Sequence, residues 1–409
     1  MPRKNRANAN SRLPLISGMI QKLVQKGRLT ITDSAGHCHH FGSEDCDEQV
    51  TVRLHDKVLP LKLALSPTLA LGEAYMDGRI TFEAGSIRDL LRITTSNLQA
   101  LDEHPVQVIR ARLAAYKPFR AGRNHRARSR RNVAHHYDLS GTLYDLFLDS
   151  DRQYSCGYFP QGTETLDEGQ SAKKRHLAAK LLLCPDHRLL DIGCGWGGLA
   201  ARACERFAVD YRGITLSVEQ QRAAEERTAT CPEASKLAFT LTDYRDVLKE
   251  EGAASFDAIA SVEMVEAVGQ KYWPAYLDSI AANLKPGGRA GLQYIRIADD
   301  IFESYASSAD FIQTYIFPGG MLLSESRFRA LAEERGLRWT DQRDMGLDYA
   351  RTLKLWRERF DAAVEAGQLP LGFDDRFVRL WRYYLMYCEG GFRGGGIDVA
   401  QVTLIKERP

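Results

Sequence analysis

Apolar and polar residues alternate at Val50, Thr51, Val52, Arg53 and Leu54, the period-two pattern of a strand with one buried face. Residues 65–78, LSPTLALGEAYMDG, carry Ser66 and Pro67 near their start and Gly78 at their end, which predicts a short helix. Together these make residues 13–110 a mixed α/β accessory domain behind a polar, basic tail of residues 1–12. From residue 138 onward, short apolar runs (RLLDIG, YRGITLS, FDAIASV, AGLQYIRI) are separated by amphipathic stretches. That alternation predicts βαβ units and a parallel sheet covered on both faces. After Asp299 the sheet pattern lapses into a mostly helical insertion, about 299–390, before IDVAQVTLIK (397–406) alternates as a last strand.

Composition excludes more than it selects. With 44% apolar and 26% charged residues and a net charge of +2, the chain is neither disordered nor fibrous as a whole. Eight cysteines lack the close pairing of zinc or disulfide frameworks, so no metal is expected and the thiols are expected reduced, in a cytoplasmic protein. No apolar window is long enough to span a bilayer. Charge is uneven, however. Within a basic linker, residues 111–137, the stretch PFRAGRNHRARSRR (118–131) holds six arginines and no acid. It reads either as a solvated connector or as a strip that meets phosphate, in anionic lipid headgroups or in nucleic acid.

The strongest chemical signal is LLDIGCGWGG (189–198). A strand ends in an acid, and a glycine turn that tolerates positive φ opens a helix. The spacing is G-x-G-x-G rather than the dinucleotide-binding G-x-G-x-x-G, and LKPGG (284–288) precedes the next strand. Together these resemble a class I S-adenosylmethionine-dependent methyltransferase. Ligands of such sheets sit at the carboxyl ends of the strands, where strand order reverses. Gly193 and Gly195 then face the methionine part of the cofactor, Thr215, Ser217 and Gln220 the ribose hydroxyls, and Asp243 the adenine amino group. Ser217 with Gln220 also fits a helix cap. No N/D-P-P-Y/F motif follows the fourth strand, where the chain reads SVEMVEAVG (261–269), so a nucleic-acid substrate is not expected.

HYDLS (136–140), YDLFLD (144–149), YSCGYF (154–159), GITLSVEQ (213–220), YIFPGG (315–320) and YYLMYCEGGFRGGGID (383–398) resemble, in order, the cyclopropane-fatty-acyl-phospholipid synthase family. The resemblance implies an α/β fold: a doubly wound, Rossmann-like methyltransferase sheet with a helical lid insertion and a smaller amino-terminal domain. It also implies methyl transfer to a cis double bond of a phospholipid acyl chain, through a carbocation that aromatic faces can stabilise. Tyr137, Tyr154, Tyr315 and Tyr349 are candidates for that role.

In the family the base is a bound bicarbonate, whose holders map onto Cys156, Glu266, Ile295 and Tyr349. Glu263 ranks below Glu266 because its spacing from the glycine does not match. Gln293 stands where a histidine is expected, and glutamine cannot hold a positive charge; if the cation's fate changes, the product is a methylene- or methyl-branched chain. Cys388 matches a cysteine associated with activity, and the cofactor set extends to Tyr154, Ser155, Asp191 and Tyr244. Phe311, Ile312, Tyr315, Phe317, Leu355, Trp356, Phe360 and Trp381 would serve an apolar acyl channel. The expected partner is an anionic phospholipid membrane, met peripherally at its inner surface, and the amino-terminal domain is compatible with a homodimer.

Overall fold

The computed structural model describes residues 13–43, 49–95, 97, 141–307 and 309–408. The tail, the basic linker with its six arginines, and Tyr137 lie outside the described residues. The chain divides into two compact units, residues 1–119 with 307–314 and 371–396, and residues 120–306 with 315–370 and 397–409.

The first unit opens with α1 (Pro14–Leu23), β1 (Arg28–Thr32), β2 (Cys38–Gly42) and β3 (Gln49–Leu54), then α2 (Leu59–Leu65), α3 (Pro67–Met76), β4 (Ile80–Ala84) and α4 (Ile87–Thr95). Its sheet runs β2-β1-β3-β4. In β3, Val50, Val52 and Leu54 are buried while their neighbours face outward, as the alternation predicts. The expected helix is α3, and Gly78 (φ +69°) turns the chain behind it.

The second unit carries the larger sheet. Its elements are α5 (Gly141–Phe147), α6 (Leu166–Leu181), β5 (Arg188–Ile192), α7 (Gly198–Phe207), β6 (Asp210–Ile214), α8 (Val218–Thr228), β7 (Leu237–Thr240), α9 (Val247–Glu251), β8 (Phe256–Val262), α10 (Trp273–Asn283) and β9 (Leu284–Ile297). In chain order there follow α11 (Phe302–Ala306), α12 (Phe311–Tyr315), β10 (Leu323–Ser324), α13 (Glu325–Glu333), β11 (Leu337–Asp344), α14 (Gly346–Glu365), α15 (Asp375–Arg393) and β12 (Ile397–Lys406), of which α15 and nearly all of α12 group with the first unit. Strand order is β11-β12-β9-β8-β5-β6-β7. Strands β5 to β9 pair in parallel, and β12 runs antiparallel to both β9 and β11. The chain leaves β5 in one direction to β6 and β7 and in the other to β8 and β9, so the order reverses beside β5. Adjacent leucines show why the sheet is covered twice. Leu190 packs with Ile259, Trp273, Leu277 and Phe328 on one face, and Leu189 with Leu177, Ala203, Tyr211 and Phe239 on the other.

The insertion differs from expectation. Residues 323–344 return to the sheet as β10, α13 and β11. In β11, LRWTDQRD, only Leu337 and Trp339 are buried, because it is an edge strand and needs few apolar residues. Residues 307–314 and 371–396 instead group with the first unit. There Phe311 lies against Gly72, where a Cβ would come within 2.2 Å of its ring, and α15 is tied to the turn after α3 by Arg379 Nε donating to Met76 O at 2.6 Å. Among the described residues no helix is long and apolar enough to cross a membrane.

Candidate active site

The glycine loop leaves the central strand at the reversal of strand order. Gly193, Gly195 and Gly197 adopt φ of +83°, +53° and +81°, a region that costs a residue with a Cβ about 1–2 kcal/mol. The amides of Gly193 and Cys194 both donate to Ile214 O at 3.0 Å, pinning the loop to β6. A Cβ on Gly197 would lie 2.8 Å from that of Ala224, whereas one on Gly195 would meet nothing within 4 Å. Gly197 therefore lets α8 approach, and Gly195 leaves a cradle where a ligand can meet backbone.

The predicted cofactor residues gather around this loop at the carboxyl ends of β5, β6 and β7. Thr215 Oγ1 donates to Gln220 Oε1 at 2.7 Å, and Ser217 caps α8 by accepting from Gln220 N at 3.3 Å; the capping reading of Ser217 holds. Asp243 is buried, with Arg245 donating to each carboxylate oxygen at 2.7 and 2.5 Å. The next residue, Tyr244, meets Tyr276 edge-on at 5.5 Å. Asp191 accepts from Tyr211 OH at 2.6 Å, which ties β5 to β6, and burial pushes its carboxyl up to about 6.

Tyr154 and Ser155 lie on the loop before α6, a helix started by a Thr165–Glu168 capping box worth about 1 kcal/mol. Lys173 of α6 is 1% exposed. Its Nζ donates to Ser155 Oγ at 2.6 Å and Gln153 Oε1 at 3.0 Å, and burial lowers its pKa to about 8. Tyr154 stacks on Trp356 of α14 (ring centroids 5.2 Å) and approaches Phe317 (6.2 Å) and Phe147 (6.3 Å). Tyr349 meets Trp356 edge-on at 6.2 Å.

The polar centre beside these rings is Glu263, directly after β8, in a left-handed conformation (φ +49°) that is rare without glycine. Its Oε1 accepts from Cys156 N at 2.8 Å and Gln293 Nε2 at 2.7 Å, and its Oε2 accepts from Tyr349 OH at 2.8 Å. Its own amide donates to Gln293 O at 2.7 Å. Burial raises the Glu263 pKa, while the three donors and the Lys173 charge oppose the rise. Glu266, on the following turn, accepts from Ile295 N through Oε1, and its buried Oε2 has no partner among the described residues. Burial, with the Glu263 charge adding, pushes Glu266 up to about 8, so it is a neutral acid at pH 7.

Cys156, Gln293, Ile295 and Tyr349 are thus brought together, but three of them converge on Glu263, the carboxylate that spacing had ranked second. Motif spacing carries no trace of a positive φ at a glutamate, and it is this φ that goes with the inward-turned carboxylate. Cys156 contributes its backbone. Its thiol is buried, donates to Gly157 O at 3.0 Å, and is raised well above the ordinary range by desolvation. Cys388 belongs to the other unit, where burial and the charge of Asp310 raise its thiol. Lys173 and Gln401 carried no motif; the one available signal was a glutamine set between the apolar residues Val399, Ala400 and Val402 of the last strand. No cluster of His, Cys, Asp and Glu suited to a metal occurs among the described residues.

The profile of the mycolic acid cyclopropane synthetase family matches residues 124–402. The chain belongs to this family. Residues 16–103 match a second family, described as a domain of unknown function. Tuberculostearic acid methyltransferase UfaA1 of Mycobacterium tuberculosis is 37% identical over 352 residues, covering 83% of this chain and 79% of the relative. Cyclopropane-fatty-acyl-phospholipid synthase of Escherichia coli is 35% identical over 340 residues, 82% of each chain. Among solved structures, mycolic acid cyclopropane synthase CmaA1 complexed with SAH and CTAB is 32% identical with a TM-score of 0.62, covering 68% of this chain and 98% of that one. Family membership makes the protein an S-adenosylmethionine-dependent methyltransferase, and the reversal point beside β5 is where its glycine loop lies.

Proposed function

We propose that the enzyme methylates the cis double bond of an unsaturated phospholipid acyl chain and that Glu263 removes a proton from the resulting cation, closing a cyclopropane ring. The observation that carries this reading is the convergence of Cys156 N, Gln293 Nε2 and Tyr349 OH on the Glu263 carboxylate. The family implies bicarbonate as base. Here the donors that would hold it are engaged by protein carboxylates, with Ile295 N taken by Glu266, so the residues do not fit that ion and no step is assigned to it.

The glycine loop fits S-adenosylmethionine, because Gly195 leaves open space where a side chain would stand; the bound sulfonium supplies an electrophilic methyl group. The alkene π pair forms the new C–C bond as the S–CH₃ bond breaks, and S-adenosylhomocysteine leaves with that electron pair. The neighbouring carbon becomes cationic, and Tyr154 and Tyr349, both packed on Trp356, are the rings that would attract its charge without adding to it. Glu263 takes a proton from the new methyl group, and the freed C–H pair closes the ring. Burial serves this step by keeping the carboxylate basic.

A second ending, loss of the proton from the methylated carbon system without ring closure to leave a methylene-branched chain, shares the first bond formation; a methyl branch would require a separate hydride donor to reduce that product. The arginines of residues 120–131 support an anionic phospholipid surface as the place of encounter, with the enzyme peripheral on the cytoplasmic side. The test is incubation of purified protein with cis-unsaturated phospholipid vesicles and labelled S-adenosylmethionine, followed by mass spectrometry of the fatty acids. A gain of one CH₂ in an ozone-resistant product is expected. A labelled, ozone-cleavable product with the same mass gain selects the methylene-branched ending, and unlabelled lipid overturns the proposal.

A further inference from the structure

Gln293 and Gln401 stand opposite each other in the antiparallel register of β9 and β12, and are 1% and 0% exposed. Gln401 Nε2 donates to Gln293 Oε1 at 2.8 Å, and Gln401 Oε1 lies 2.6 Å from His176 Nδ1 on α6. A single hydrogen-bonded file therefore runs His176, Gln401, Gln293, Glu263. An amide donates at one end and accepts at the other, so the orientation of each member dictates that of the next.

We infer that His176 is a positioning residue: its Nδ1–H fixes the polarity of two buried amides so that Gln293 presents N–H, and not its carbonyl, to Glu263. This deepens the reading of Glu263 as base and rests on it. At the inner end, Gln293 Nε2 meets two acceptors, Glu263 Oε1 at 2.7 Å and Cys156 O at 3.2 Å. A turned amide would set its oxygen against both. Gln293 Oε1 must then receive a proton from Gln401, whose own oxygen needs a donor at the outer end. His176 is that donor as the Nδ1–H tautomer and equally when protonated, so the file keeps its direction when the ring gains a proton; only the Nε2–H tautomer, whose bare Nδ1 would face Gln401 Oε1, would break it. His176 is held at its post by its ring against Tyr158 (centroids 5.0 Å), with Arg343 over the far ring at 4.9 Å. Charges near His176 are Lys180 on its own helix and Arg343 and Asp341 on β11. Those near Glu263 are Lys173 on α6 and Glu266 on the next turn.

The function of the file is to keep an N–H dipole on the base. A carbonyl in its place would disfavour the ionised carboxylate and raise the pH at which it works. Three full-length variants test this, each assayed for S-adenosylhomocysteine binding and for kcat from about pH 5 to about pH 9 on cis-unsaturated phospholipid vesicles. Gln401→Glu accepts at both ends, forcing Gln293 to turn. It should lower kcat at pH 7 about tenfold and move the acid limb of the profile upward by about one unit, with S-adenosylhomocysteine affinity unchanged. His176→Phe keeps the ring but loses the donor and should shift the limb the same way by less. His176→Asn returns a neutral N–H and should restore the profile. A limb unmoved in Gln401→Glu and His176→Phe, or His176→Asn no better than His176→Phe, overturns the inference. Should Gln401→Glu not fold, the two His176 variants decide it. Glu263→Gln separates the premises: turnover retained there defeats the base, whereas turnover lost there with unshifted limbs defeats the polarity file alone.

Discussion

Tyr349 donates its phenolic O–H to Glu263 Oε2 at 2.8 Å, joining the first turn of α14 to the exit of β8 across 86 positions of sequence. A hydrogen bond to a charged group contributes about 1.5–3 kcal/mol. It favours the ionised form of a carboxylate that burial would otherwise neutralise. Tyr349→Phe is expected to lower kcat about 10- to 100-fold and to move the acid limb of the rate profile upward. An unshifted limb would mean the phenol does not hold the base.

The two glutamates of the turn after β8 should respond differently to loss of charge. Glu263→Gln is expected to reduce kcat by about 10²–10⁴ while leaving S-adenosylhomocysteine binding intact. Glu266→Gln replaces an acid that is neutral below about pH 8 and should stay within about tenfold of the parent at pH 7. Equal loss in both, measured with the same vesicles, would return the central role to Glu266.

Bicarbonate supplies a chemical rescue. Glu263→Gly suits the positive φ and frees Cys156 N, Gln293 Nε2 and Tyr349 OH for a small oxyanion. Its turnover should be low in bicarbonate-free buffer and rise on addition of bicarbonate or formate, whereas the parent enzyme should not change. A parent enzyme that stops when bicarbonate is removed would contradict the assignment.

Glu266 also marks stability. Its folded pKa, about 8, exceeds the value of about 4.3 expected for the unfolded chain. Between these values the folded state keeps a proton that the unfolded state has released. Stability is fullest below the lower value and declines as pH rises through the higher one. Urea midpoints should therefore fall between about pH 4.5 and 8, and Glu266→Gln should flatten that decline. Identical slopes would place the titration elsewhere.

In the glycine loop, Gly197→Ala would bring a Cβ to 2.8 Å from Ala224 at a φ of +81°, costing about 1–3 kcal/mol. Gly195→Ala meets only open space and should spend its effect on the ligand. Thermal unfolding and cofactor titration together should show Gly197→Ala losing the more stability. Gly195→Ala should lose the more affinity relative to its stability. The reverse order would show that the cradle is misplaced.

Some of this was legible before folding. The glycine loop is a local requirement: three positive φ values in five residues ask for glycine wherever the chain ends up, so Gly193, Gly195 and Gly197 could be read directly. The parallel strands were legible because burial on both faces demands uninterrupted apolar runs. The edge strand β11 was not, because an edge buries little. Cys388 shows the limit of motif reading, since being matched to an active family placed it in no particular unit.

The sequence by itself determined the central sheet, the glycine turn after β5 and the set of residues that could carry the chemistry, because periodicity, glycine placement and motif order act over a few residues at a time. Only the tertiary structure decided that Glu263 receives three of the four donors and Glu266 the remaining one, Ile295 N, and that Gln293 looks to Gln401 and His176. Hydrogen bonds between residues 30 to 225 positions apart depend on register and on one left-handed glutamate, and neither has any signature along the chain.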